Sequence, residues 1–155
     1  MGSRTPDKVW AIFEEDHDHL LRILDRMAVE APADVVAEEA GFAGLLSRHF
    51  RDEEEILLPF LEQHGEDAEN VRHHVAEHLA ILRLNEQVLE YARAGLADLA
   101  RQSAARLRLL LVQHVEHENE SLYPEAERNV SPGERGLIRN LVQGRRQQED
   151  AGTGA

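Results

Sequence analysis

The chain has no cysteine, and that absence removes disulfides, thiolate zinc sites and cysteine-ligated iron–sulfur clusters. Positive charge is scarce as well: 17 Lys and Arg stand against 30 Asp and Glu, for a formal net charge of −13. So acidic a surface repels phosphate backbones and anionic lipid headgroups, so no nucleic acid and no membrane is expected as a partner. Long apolar runs are missing. A stretch such as Leu109 to Val112 is far too short to span a bilayer, and no apolar segment follows a basic start near Met1. The expectation is a cytoplasmic protein. Strand-like alternation of apolar and polar residues is also absent.

What is present is a helical apolar period over most of the 155 residues, enough for one domain with a real core. Four long helices are predicted, over about Pro6 to Val29, Asp34 to Gln63, Ala68 to Ala94 and Leu96 to Asn129. Thr5-Pro6 opens the first, Ala31-Pro32 follows it, and Gly65 and Gly95 punctuate the second and third. Ser131-Pro132-Gly133-Glu134 has the form of a capping box and starts a short fifth helix through Leu137, Ile138, Leu141 and Val142. From about Gly144 the chain is polar, and residues 144–155 read as a disordered tail. Short connections between long helices predict an all-α fold over residues 1–143: an antiparallel up-down-up-down four-helix bundle with a short C-terminal fifth helix.

Nine histidines are many for an acidic chain of this length, and their placement is ordered. The predicted core stripes run Phe13, His17, Leu20; Leu46, His49, Glu53, Ile56, Phe60; His74, His78, Ile81; and Leu110, His114, Glu118, Leu122. Residues four apart stack on one helix face about 6 Å along the axis, so each His-x-x-x-Glu or His-x-x-x-His pair reaches one inward point. The segment from His49 to Pro59 also repeats as His114 to Pro124, with matching His, two Glu, Leu and Pro, and Asp16-His17 pairs with Glu77-His78. Two related helical hairpins are implied.

A single buried histidine is more often a hydrogen-bonded core residue than a ligand. Seven seam positions together read differently, because the carboxylates Glu53 and Glu118 at mid-core cost several kcal/mol without a cation. Imidazole nitrogen with carboxylate oxygen suits iron, zinc or manganese rather than calcium or magnesium. The candidate ligands are His17, His49, Glu53, His74, His78, His114 and Glu118. Seven groups are too many for one ion, and they fit two ions sharing both carboxylates, roughly 3.5–4 Å apart, with an oxo, hydroxo or water bridge. His19, His64, His73 and His117 fall off the stripes and read as surface or supporting residues. Glu54, Glu55 and Glu120 read as a solvated flank, with Glu120 able to order an imidazole. Tyr91 and Tyr123 read as packing residues.

In the order His17, His49-x-x-x-Glu53, His74-x-x-x-His78, His114-x-x-x-Glu118, over about residues 9–129, the chain resembles the hemerythrin-like group of HHE cation-binding domains. The resemblance implies a non-heme di-iron centre in the bundle. By matching positions, His17 and His49 would bind one iron, His74, His78 and His114 the other, and Glu53 and Glu118 would bridge them. The iron with fewer histidines would hold the open position for dioxygen, peroxide or nitric oxide. Oxygen carriers of the group close the fourth helix with His-x-x-x-x-Asp, whereas here Asn119 stands five after His114 and the carboxylate four after it. That spacing is more similar to the branch associated with iron–sulfur repair, nitric oxide and peroxide chemistry.

Three activities follow as expectations: reversible dioxygen binding, turnover of peroxide or nitric oxide, and an iron- or oxygen-sensing regulatory module acting through a protein partner. A tightly closed pocket favours carriage, and a channel to the open metal favours turnover. A ferritin-like oxidase would use Glu-x-x-His motifs. Glu14-x-x-His17 is the one such motif aligned with a candidate ligand, and the repeated motifs run His before Glu.

Overall fold

The structure is a computed structural model, and it describes residues 10–152. The expected Thr5-Pro6 helix start lies outside the described residues, within which α1 spans Ala11–Met27. There follow α2 (Pro32–Asp52), a π turn (Glu53–Leu57), α3 (Leu58–Gln63), α4 (Ala68–Arg93), α5 (Ala97–His117), a second π turn (Glu118–Leu122), α6 (Tyr123–Asn129) and α7 (Pro132–Gly152). No strand occurs among the described residues, and no helix there is long and apolar enough to cross a membrane. The helix α1 lies against α2 and α5, and α4 lies against the same two.

Local chemistry accounts for the boundaries. Asp67 caps α4 by accepting from the Glu69 N–H at 3.0 Å, and Ser131 caps α7 by accepting from the Glu134 N–H at 3.2 Å. The Ser131 hydroxyl in turn donates to the Glu134 carboxylate at 2.8 Å, so the Ser-x-x-Glu pair read from the sequence meets side chain to side chain as well. Gly65 and Gly95, with φ of 96° and 73°, end α3 and α4 in the left-handed region that a side chain disfavours.

The two π turns occupy equivalent places in the two repeats, each just ahead of a proline. Pro59 and Pro124 have no N–H, and their rings crowd the carbonyls of Glu55 and Glu120, so an ordinary helical turn is disfavoured there. The ladder opens instead, and the N–H groups of Leu58 and Tyr123 reach back five residues to the carbonyls of Glu53 and Glu118. That wide turn shifts the helical register. Beyond it the buried face of the second helix is Leu57, Leu58 and Leu61, and Phe60, expected in the core, is only half-buried.

Two apolar clusters flank a polar layer. One gathers Leu20, Leu24, Phe42, Leu46, Ile81, Val88, Leu107 and Leu111; the other gathers Trp10, Phe13, Leu57, Leu61, Leu122, Tyr123, Ile138 and Val142. Along all four long segments the candidate ligands fall between a residue of one cluster and a residue of the other. The helix α7 supplies Ile138 and Val142 to the second cluster and continues through Gly152. It thus passes Gly144, where polar composition alone predicts fraying. Ion pairs hold it: Arg145 reaches Asp52 and Glu55, Arg146 reaches Asp16 and Asp52, and Glu149 meets Arg51.

Candidate metal centre

The polar layer is buried. His17, His49, Glu53, His74, His78, His114 and Glu118 are each at most 3% exposed. Six of the seven form two quartets whose ligand atoms lie within 4.8 Å of one another: His17, His49, Glu53 and Glu118, and Glu53, His78, His114 and Glu118. The carboxylates are common to both.

Each carboxylate divides its oxygens between the quartets. Glu53 turns Oε1 to His49 Nε2 at 2.9 Å and Oε2 to His78 Nε2 at 3.0 Å. Glu118 turns Oε2 to His17 Nε2 at 3.3 Å and Oε1 to His114 Nε2. Within each quartet the two imidazoles face one another through Nε2, at 3.1 Å for His17 and His49 and 3.2 Å for His78 and His114. Convergent lone pairs at such distances are what a cation between them would satisfy.

Electrostatics say the same. Burial alone would push the His49 imidazole down, but the Glu53 charge and the hydrogen bonds it donates to Asp16 and Glu53 raise it to about 10. His114 is likewise raised to about 10, against burial, by its bonds to Glu118 and Glu77. Burial would raise Glu53, yet the facing histidines hold it well below the carboxylate range. Two buried anions thus demand positive charge, and protons on imidazole meet that demand when no metal does.

The opposite ring nitrogens are anchored outward. The Nδ1 atoms of His49, His78 and His114 donate to Asp16 (2.9 Å), Glu54 (2.8 Å) and Glu77 (2.5 Å). Such bonds fix the tautomer that leaves Nε2 facing inward. Glu120, the glutamate expected to order an imidazole, is exposed, and Glu54, expected in a solvated flank, takes that role. The signal for two of these anchors was the Asp16-His17 and Glu77-His78 repeat, which puts an acid before one ligand where it meets another helix's histidine. His17 stands apart, since its Nδ1 is buried without a partner.

Tyr123 packs in the second apolar cluster as expected, and its hydroxyl adds a polar role. It is 4% exposed, and its hydroxyl donates to Glu118 Oε2 and, at 3.4 Å, to Glu53 Oε1, so it touches both shared carboxylates. Burial and those two charges keep it protonated, well above the ordinary tyrosine range. Its ring stacks on Trp10 at 5.6 Å and 5°. Two cavities of about 210 and 200 Å³ adjoin here, both lined by Glu14 and Asn119; Trp10 and Tyr123 line the first and His17 the second.

His74 is buried but lies outside both quartets. Its ring stacks on His117 at 4.8 Å and 6°, lies 5.7 Å from His114, and leaves Nδ1 unpartnered. Burial lowers its pKa, so it is the neutral imidazole that can ligate. It also groups with Glu77 and His114, but His114 Nδ1 is committed to Glu77 there. Of the histidines read as non-ligands, His19 and His73 are exposed, and His64 bonds Glu134 at the start of α7.

Compared with known proteins, residues 8–143 match the family model described as the hemerythrin HHE cation binding domain. Neither the curated proteins nor the solved structures contain a match to the chain.

Proposed function

Because the chain belongs to the hemerythrin HHE cation-binding family, we propose that it is a non-heme di-iron protein that binds or reacts with dioxygen, peroxide or nitric oxide. The observation that carries this reading is the division of each buried carboxylate, Glu53 and Glu118, between two facing pairs of imidazoles. One ion would take His17 and His49, the other His78 and His114 with His74 as its third imidazole, and the two carboxylates would bridge them. The frame is an antiparallel up-down-up-down bundle, an arrangement supported by the order in which each segment meets the two apolar clusters.

When bound, a pair of iron ions supplies electrons and an open coordination position to a small oxygen or nitrogen species. The residues decide where that species arrives. The His17 and His49 half has fewer imidazoles, and the two adjoining cavities end on His17 and Tyr123. Trp10, nearly fully buried, lines the first of these cavities beside Tyr123. The Tyr123 hydroxyl, kept protonated, is the donor beside the shared carboxylates and is placed to share a proton with a species held there. Cavities of this size beside the less crowded half support turnover of peroxide or nitric oxide over sealed carriage of dioxygen.

The test is iron stoichiometry on chain grown with iron, followed by the absorption spectrum after reduction and exposure to dioxygen and to peroxide. Two irons per chain that are oxidised without return on reaction with peroxide support turnover. A reversible oxygen-dependent band would move the assignment to carriage, and a chain without iron would end the di-iron reading.

A further inference from the structure

Three of the four quartet histidines lean on a carboxylate, and only one of those carboxylates is itself gripped by a guanidinium among the described contacts. Asp16, on α1, accepts from Arg146 of α7 through both oxygens: Nη1 to Oδ1 at 3.1 Å and Nη2 to Oδ2 at 2.7 Å. The same Oδ2 accepts from His49 Nδ1 at 2.9 Å. The third arm of the guanidinium, Nε, donates to Asp52 Oδ2 at 2.9 Å, and Asp52 is wholly buried on α2, one residue before the shared carboxylate Glu53. One planar group therefore ties α7 to α1 and α2 at the point where both helices present ligands. The side chain is 13% exposed, so water competes weakly for these bonds.

We infer that Arg146 is a positioning residue for the His17 and His49 half of the centre, acting through Asp16 on the orientation of His49. The inference rests on the reading of His49 as a metal ligand. Held by the fork, Asp16 keeps one rotamer and stays a hydrogen-bond acceptor, so His49 keeps its proton on Nδ1 and its Nε2 lone pair toward the centre. Glu54 and Glu77 perform the same service for His78 and His114 without a partner from α7. Arg145 provides the contrast. It pairs with Asp52 at 3.5 Å and Glu55 at 2.7 Å, helping to dock α7, but it does not touch Asp16.

The experiment loads the full chain with cobalt(II) and follows two quantities. One is release of each ion to excess chelator; the other is the hyperfine-shifted imidazole N–H resonances and their exchange with water. Arg146→Ala is expected to release one of the two ions about ten-fold faster and to bring one N–H line into fast exchange, leaving the others as in the parent. Arg146→Lys keeps the charge but not the fork and is expected to fall between; it carries the comparison if the alanine variant does not fold. Arg145→Ala is expected to match the parent in both readouts. Equal acceleration of both ions, or an Arg145→Ala that behaves as Arg146→Ala does, would reduce α7 to general stabilisation and overturn the inference. A parent chain that binds no cobalt would instead overturn the metal reading beneath it, and this inference with it.

Discussion

The sharpest consequence outside the centre concerns Glu39, an acid buried in the apolar end of the molecule. It is 2% exposed on α2, beside Asn85 of α4, whose amide donates to Oε1 at 2.7 Å. The other two polar atoms of the pair, Glu39 Oε2 and Asn85 Oδ1, are buried with no partner. Both are acceptors while Glu39 is ionised. Protonation removes the buried charge and turns one of the two unpartnered acceptors into a donor. Burial accordingly raises Glu39 to about 7, although the Asn85 bond and the charge of Arg93 act in the opposite direction. In the unfolded chain the group titrates near 4.5. A raised folded pKa means stability that is complete below about 4.5 and is lost as pH climbs to about 7. The slope over that window is about 1.4 kcal/mol per pH unit, and the total is at most about 3.5 kcal/mol.

Glu39→Gln keeps the shape and supplies the donor at every pH. The assay is urea denaturation of parent and variant, metal-free, at several pH values from 5 to 8, because the difference between them cancels the titration of the shared histidines. The variant is expected to gain on the parent steadily up to about pH 7 and to hold a constant lead above it. A difference that stays flat across that range would refute the argument, since Glu39 would then be ionised in the folded chain throughout.

Three further expectations concern the centre. With His49 and His114 both raised to about 10, loading with a divalent metal at pH 7.5 should release about two protons per chain, which calorimetry in buffers of different ionisation enthalpy measures; release well under one would contradict the protonated empty centre. Glu53→Ala and His78→Ala should each lose metal and melt at a lower temperature, while His64→Ala, bonded to Glu134 away from the quartets, should keep its metal; unchanged metal in the first two removes the assignment. His74→Ala should weaken one ion by less than His78→Ala does, because His74 lies outside the quartet, and chelator competition on the two variants orders them.

The amino-acid sequence by itself determined the helices, most of their ends and the candidate ligands. Those features depend on short-range order: a 3.6-residue period, prolines and glycines at turns, and His and Glu four apart on one face. Even Glu39 was within its reach, since it stands one turn before Phe42 on the stripe that leads through Leu46 to His49 and Glu53. Tertiary structure alone decided what depends on distances between elements. Which oxygen of Glu53 faces which histidine, and which acid steadies each Nδ1, are set by the packing of four separate segments. The contact of the Tyr123 hydroxyl with both shared carboxylates depends on where two separate segments meet, and α7 outran its expected end because its partners, Asp16 and Asp52, lie 130 and 94 residues away along the chain. Composition can report that residues 144–152 are charged; only the fold brings opposite charges within reach of them.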